Sequence, residues 1–326
     1  MEPAIRKAFE DAIAHMISVA QVGLLEDAIA AGDIQRVLNV LQIGPSFFAP
    51  LDRAMGEALW QSGTATIAGL PKLRDPFSGQ RVVIGFDGRH PRAEEWARGR
   101  AGNLITGIVD DQLVMVRAAL TEAVMTSQPP RSAALEIVGR VNRATGIREG
   151  GLLGLTSQQA GYVRNLRGEL ADPATMANYL TRERRYRRFD KLVRDAMASG
   201  KPVAQADIDR IAASYGNRLL KLRGDTIAQN ESITAMRAGQ HEGYRQLVES
   251  GQVRDSQITR TWSATPDTFT RHDHMVMNGQ TLTGVQANWT LPDGSQMRFP
   301  GDVSLGARAA ETIGCRCHEQ FRIRFI

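Results

Sequence analysis

Cysteine is almost missing from this chain. Only Cys315 and Cys317 occur among 326 residues, one residue apart. That excludes a small scaffold held by several disulfides, and a bridge across so short a spacing would be strained. Long apolar runs are missing too, since no stretch approaches the roughly 20 residues needed to span a bilayer. The opening, MEPAIRKAFEDAIAHM, mixes acids among its apolar residues and has no signal-peptide apolar core. A soluble chain made in the cytosol, with no membrane partner, is the expectation. No internal repeat or low-complexity tract occurs, so a repeat architecture is excluded. The glycine clusters at 99–107 (GRAGNLITG) and 146–154 (GIREGGLLG) lack the Gly-Lys-Ser/Thr ending of a phosphate loop and follow no convincing strand. Both read as turns, and no nucleotide site is expected.

What is present is enough apolar material, 42% of residues, to build one large core or two ordinary ones. The formal charge is +5, but its location says more than its size. Residues 181–194 (TRERRYRRFDKLVR) hold seven Lys/Arg against two Asp/Glu, and elsewhere acids and bases balance. One basic patch on a balanced protein points to a local anionic partner. On a helix, Arg184, Arg188 and Lys191 would share a stripe with Arg187 and Arg194 beside it, while Tyr186, Phe189 and Val193 anchor the opposite side. Two uses fit: non-specific contact with DNA phosphates through Arg184, Arg187, Arg188 and Lys191, or a solvated face that meets water or an acidic protein surface.

Helical spacing dominates the first 65 residues, with Ile5, Phe9, Ile13, Met16, Ile17 and Ala20 on one face. Asp33 is placed to cap a helix through Leu41, and Gly44-Pro45-Ser46 breaks the chain again. A Gly- and Pro-rich segment follows, with a short strand expected at 81–86. Pro91 to Met125 reads as a long helix, and Ser132 with Ile137 and Val141 as the start of another. From Thr156, whose hydroxyl suits an N-cap, to about residue 250 the pattern is nearly all helix. Breaks fall at Asp172-Pro173, Gly200-Lys201-Pro202 and Gly251, with Asp172 starting a helix. The texture then changes. Residues 256–262 alternate as a strand, Leu291-Pro292-Asp293-Gly294-Ser295 is a turn between strands expected at 285–290 and 296–299, and Phe321, Ile323 and Phe325 alternate in the tail. The expected fold is α+β: a predominantly α-helical body, divided as 1–80 and 81–250, and a small C-terminal α+β domain at 251–326 with short antiparallel strands.

The last sixty residues carry a constellation: Trp262, Asp267, Thr270, Arg271, His274, Asn278, Gly279, then Pro300, Gly301, Asp302, then Cys315-Arg316-Cys317. Two thiolates and an imidazole suit a tetrahedral zinc site, with His274, Cys315 and Cys317 as ligands and His272 or His318 able to complete the set. If 267–276 is helical, His272 and His274 point about 200° apart, so one of them faces inward. Structural zinc sites usually space their cysteines more widely, and the plainer reading is that the thiols pack as small apolar residues. Metal or not, Arg271, His274 and the two cysteines are expected to meet and pin the tail. A Cys-His nucleophile is a further reading, as is a nuclease using Asp267, Asp273 and Asp302. Asp302, however, follows Pro300-Gly301, where an aspartate more often caps a turn.

In order and spacing this constellation resembles the C-terminal signature of the phage head morphogenesis family, the Mu F-like minor head proteins. The likeness is strong over 262–317 and extends weakly upstream to about residue 85, through Phe86-Asp87, Pro91 and Trp96, through Leu155-Thr156, and through Arg223 to Glu231 before Ala235–Tyr244. Where many members read Arg-Thr-Glu this chain has Gln229-Asn230-Glu231, which leaves only the glutamate. The resemblance implies a non-enzymatic minor component of tailed-phage or prophage-derived heads. It implies association with the portal and other capsid proteins, a place in the virion near the portal, and help in head assembly or DNA delivery. Some relatives carry toxin domains after the signature, and the nine residues after Cys317 leave no space for one.

Overall fold

The computed structural model describes residues 1–70 and 84–324. Helices form most of the chain up to residue 249. In order they are α1 (Glu2–Val19), α2 (Val22–Ala30), α3 (Ile34–Leu41), α4 (Ala49–Ala68), α5 (Pro91–Met125) and α6 (Pro130–Val138). A two-residue hairpin, β1 (Arg140–Val141) with β2 (Arg148–Glu149), precedes α7 (Ser157–Ala171), α8 (Ala177–Thr181), α9 (Asp190–Ser199) and α10 (Gln205–Glu249). The remainder mixes β3 (Ile258–Ser263), α11 (His272–Met277), β4 (Thr281–Thr283), β5 (Trp289–Thr290), β6 (Gln296–Met297), α12 (Ala309–Thr312) and β7 (His318–Ile323). The fold is thus α+β, a helical body followed by a small antiparallel part, as the sequence pattern implied.

Local chemistry explains most of the boundaries. Ile5, Phe9, Ile13 and Met16 are buried along one face of α1. Asp33 accepts the Arg36 N–H at 2.9 Å and opens α3. Thr156 and Gln159 form a reciprocal capping box at the start of α7. Several expectations need correction. Residues 81–83 of the strand expected at 81–86 lie outside the described residues, and 84–86 form no strand. The glycines of 99–107 sit inside α5 rather than in a turn, because the apolar pattern on both sides outweighs their weak helical preference. The helix assigned to Ser132 starts at Pro130 and stops at Val138, so Val141 lies in a strand. Asp172 caps a turn, accepting from the Ala174 N–H at 2.9 Å, and does not start a helix. In the C-terminal part the strand expected at 285–290 is confined to 289–290.

The chain divides into two compact units that interleave in sequence. One comprises residues 7–50 and 103–226. At its centre Gln112 on α5 is fully buried and clamps the turn before α7. Its amide donates to Leu155 O at 2.6 Å, and its oxygen accepts from Gly154 N at 2.7 Å. Arg223 on α10 donates to Gly154 O at 2.9 Å, and Asp111 accepts from Ser157 N at 3.0 Å. Gly154 is required here: its φ is +88°, and a Cβ would stand 2.6 Å from Ile13.

The other unit comprises residues 1–6, 51–102 and 227–326. In it α4 and α10 touch backbone to backbone, since a Cβ on Gly239 would lie 2.5 Å from Leu59 O. Ser62 donates to Met236 O at 2.6 Å across the same crossing. Arg100 grips Glu231, and Arg92 grips Glu242 and Glu249, each with two nitrogens. The three-stranded sheet runs β4-β3-β7, all antiparallel, with Trp262 opposite Glu319. Ile258, Arg260 and Trp262 point inward from β3 and the intervening residues outward, the two-residue period of a half-buried strand. Arg260 is completely buried. It donates to Glu319 Oε1 at 2.7 Å, Gly284 O at 2.7 Å and Arg298 O at 2.8 Å, and also to Ala287 O. Glu319 in turn accepts from the Trp289 indole at 2.6 Å.

Arg260→Met removes one partner of a buried ion pair and should lower stability by about 3–5 kcal/mol, read from the denaturant midpoint. Adding Glu319→Leu should recover part of that stability. Equal stability of Arg260→Met and wild type would show that the pair holds nothing together. Gly239→Val, which forces side-chain atoms between α4 and α10, should cost about 1–3 kcal/mol in the same measurement.

Candidate functional site

The tail reaches the site as an extended chain. After α12, Cys315, Arg316 and Cys317 run into β7 with burial alternating in, out, in. Alternate residues of an extended chain share a face, so a single intervening residue suffices to bring both thiols inward. α11 supplies the third group. His274 is 1% exposed, whereas His272 faces solvent, so the two histidines separate as their spacing implies. His274 Nδ1 lies 3.3 Å from Cys317 Sγ and 3.6 Å from Cys315 Sγ. Its Nε2 stands 3.1 Å from Glu311 Oε2, but neither atom makes a hydrogen bond among the described residues. Trp262 meets the imidazole edge to face at 5.6 Å and Trp289 at 5.5 Å, which closes an apolar wall over the cluster.

The remaining signature residues hold this cluster in place. Gly279 N donates to Trp262 O at 2.8 Å and Asn278 Oδ1 accepts from Ala264 N at 2.9 Å, tying the end of α11 to β3. Asp267 accepts from Phe269 N, from Thr270 Oγ1 and, at 2.5 Å, from Arg316. The Arg316 guanidinium holds the Asp267 carboxyl down to about 2. Asp302 is buried and accepts from Arg298 N and from Ser304, which makes it the turn cap that its place after Pro300-Gly301 implies. Asp267 and Asp302 are therefore occupied in separate turns. Among the described residues His274, Cys315 and Cys317 form the one convergent donor group, and no carboxylate group suited to a nuclease assembles with Asp273.

Arg271 departs from expectation. It donates to Ile313 O at 2.6 Å, near the protein surface, and is no part of the sulfur cluster. The guanidinium that does reach it is Arg237 from α10, 4% exposed, which donates to Cys315 O at 2.8 Å and Pro300 O at 3.1 Å. Arg237 joins the PGD turn to the CRC segment, and sequence reasoning missed it. The signal was an arginine set among Ala235, Ala238 and Gly239, where small residues mark a tightly packed helix face. Asn230, in the segment that departs from the family pattern, accepts from Gly314 N at 2.9 Å and fixes the turn before Cys315.

The electrostatics are lopsided. A hydrogen bond from the Cys317 thiol, helped by His274 and Arg237 against the cost of burial, brings Cys315 down to about 4. The same interaction, with burial, pushes Cys317 up. Burial also lowers Arg237. The Trp262 indole N–H has no oxygen or nitrogen acceptor among the described residues and lies beside Cys317, where it favours the thiolate. Cys315 and Cys317 are only 4% and 2% exposed, which leaves no approach for a substrate carbonyl and disfavours a thiol nucleophile.

The basic segment is not one helix. Residues 182–186 form a turn, 187–189 a single 3-10 turn, and α9 begins at Asp190. Ion pairs accompany this course: Arg182 grips Glu169, 13 residues back, and Arg185 grips Asp190, each with two nitrogens. Phe189 and Val193 are buried anchors as expected. Lys191 pairs with Asp195 at 2.7 Å on the open surface. Arg188 stacks on Tyr186 and Phe189, while Arg184 and Arg187 are exposed with no carboxylate partner among the described residues. No protein-family model, no curated protein and no solved structure matches this chain.

Arg237→Ala leaves two buried carbonyls without donors and should cost about 2–4 kcal/mol. Arg271→Ala, at a more exposed position, should cost about 1 kcal/mol or less. Equal destabilisation on denaturant unfolding would overturn the assignment of the central guanidinium to Arg237.

Proposed function

We propose that this protein is a minor head component of a tailed phage or a prophage-derived particle. In this reading it resides in the virion head near the portal, binds the portal and other capsid proteins, and assists head assembly or DNA delivery without turning over a substrate. One observation carries the reading: the ordered signature of Trp262, Asp267, Arg271, His274, Gly279, Pro300, Gly301, Cys315 and Cys317. It is supported by what those positions do. Trp262, His274 and the cysteines pack together, Gly279 ties α11 to β3, and Pro300 meets the CRC segment through Arg237. Side chains spent on packing and on ties to the backbone in this way suit an assembly role.

An affinity-tagged copy expressed during particle production should co-purify with portal and capsid proteins. Recovery without any head protein overturns the proposal. Contact with packaged DNA falls to Arg184, Arg187 and Arg188, the exposed arginines of 182–194 that lack a carboxylate partner among the described residues. Reversing all three to Glu should reduce retention on DNA and flatten its salt dependence by about 0.9 in log–log slope for each phosphate no longer neutralised. Unchanged retention would exclude DNA as a partner of this segment.

A further inference from the structure

Three soft or borderline donors meet where α11 and the segment leading into β7 pack together, and their spacing is that of a coordination shell. In a tetrahedral zinc site with Zn–S of about 2.3 Å and Zn–N of about 2.0–2.1 Å, nitrogen and sulfur stand about 3.6 Å apart. The observed separations are 3.3 and 3.6 Å, and all three donor atoms lie within 4.8 Å of one another. An ordinary thiol–imidazole hydrogen bond needs one sulfur near the ring nitrogen. Here the same Nδ1 faces two.

The surroundings fit as well. The distal nitrogen of His274 stands 3.1 Å from Glu311, a carboxylate placed where one orients a metal-bound imidazole, and neither atom makes a hydrogen bond among the described residues. Nδ1 is turned to the two sulfurs, so an ion between them would take its lone pair. Charges buried this deeply must be paired. Two thiolates and the Glu311 carboxylate balance a divalent ion together with Arg237, and a neutral imidazole adds nothing to the count.

We propose that His274 Nδ1, Cys315 Sγ and Cys317 Sγ bind one divalent ion of the zinc type, held where all three ligands are buried. The ion is structural. It ties α11 to the segment leading into β7, and so fixes the tail against the sheet. Two thiolates and one imidazole favour zinc over magnesium or calcium, which take oxygen donors.

The proposal stands apart from the head-protein reading. Protein purified in reducing buffer without chelator should contain about one zinc ion per chain by elemental analysis. Replacement by Co2+ should produce a sulfur-to-cobalt charge-transfer band and the intense visible bands of tetrahedral cobalt. Cys317→Ser should abolish both, and Glu311→Gln should weaken metal binding roughly 10–100-fold while leaving the three ligands in place. If Cys317→Ser does not fold, the cobalt spectrum of the wild-type chain decides. A folded, reduced wild-type protein that holds no zinc as purified and gives no thiolate–cobalt band overturns the site. Cobalt binding by a protein that never associates with heads would uphold the site and sink the proposed function, and the reverse outcome would do the opposite.

Discussion

Arg260 and Glu319 form an ion pair in a place that the fold shields from water, and the chain from β3 onward is built around satisfying it. The guanidinium donates to the carboxylate and to three carbonyls from two segments, Gly284 and Ala287 between β4 and β5, and Arg298 after β6. Those segments form little regular structure, so a single side chain gives an irregular run of chain a fixed course. Glu319 also accepts from the Trp289 indole, which sets the aromatic wall beside His274. Such a pair is weak as a source of net stability but strict about geometry, because any alternative packing strands a charge.

Arg237 repeats the device one layer away. It too turns its nitrogens to main-chain oxygens, and by doing so it connects α10 to two stretches of the tail, at Pro300 and Cys315. With Asn230 holding Gly314, the long helix acts as a template on which the last residues are laid. The thiols and the imidazole then meet in a place defined from several sides, which makes their close spacing a property of the fold.

How much of this was legible depended on range. The face of α1, the capping box at Thr156, the cap at Asp33 and the turn at 291–295 are set by neighbours within a few residues, and each could be read directly. His274 could be chosen over His272 from helical periodicity alone. Arg260, Arg237 and Glu319 could not be read, because their partners lie 59 and 78 residues away and nothing local marks a charge destined for burial. Residues 182–194 misled for a related reason. The spacing suited a helix, but Glu169, well outside the window, pairs with Arg182 where the chain turns. Arg271 misled by proximity in sequence: it reaches the backbone at Ile313, and a residue on a distant helix takes the place it was expected to fill.

The interleaving of the two units bears on how the molecule is made. Residues 7–226 include every segment of one unit, so on a ribosome that unit is complete once α10 is half emerged. The other has received its first pieces, 1–6 and 51–102, but must wait for residue 227 onward. At roughly 5–20 residues per second, that delay is on the order of 5–20 s. During it the side of α4 that carries Leu59 and Ser62 has no mate, a window in which a chaperone or a neighbouring nascent chain meets a surface that the finished protein covers with α10.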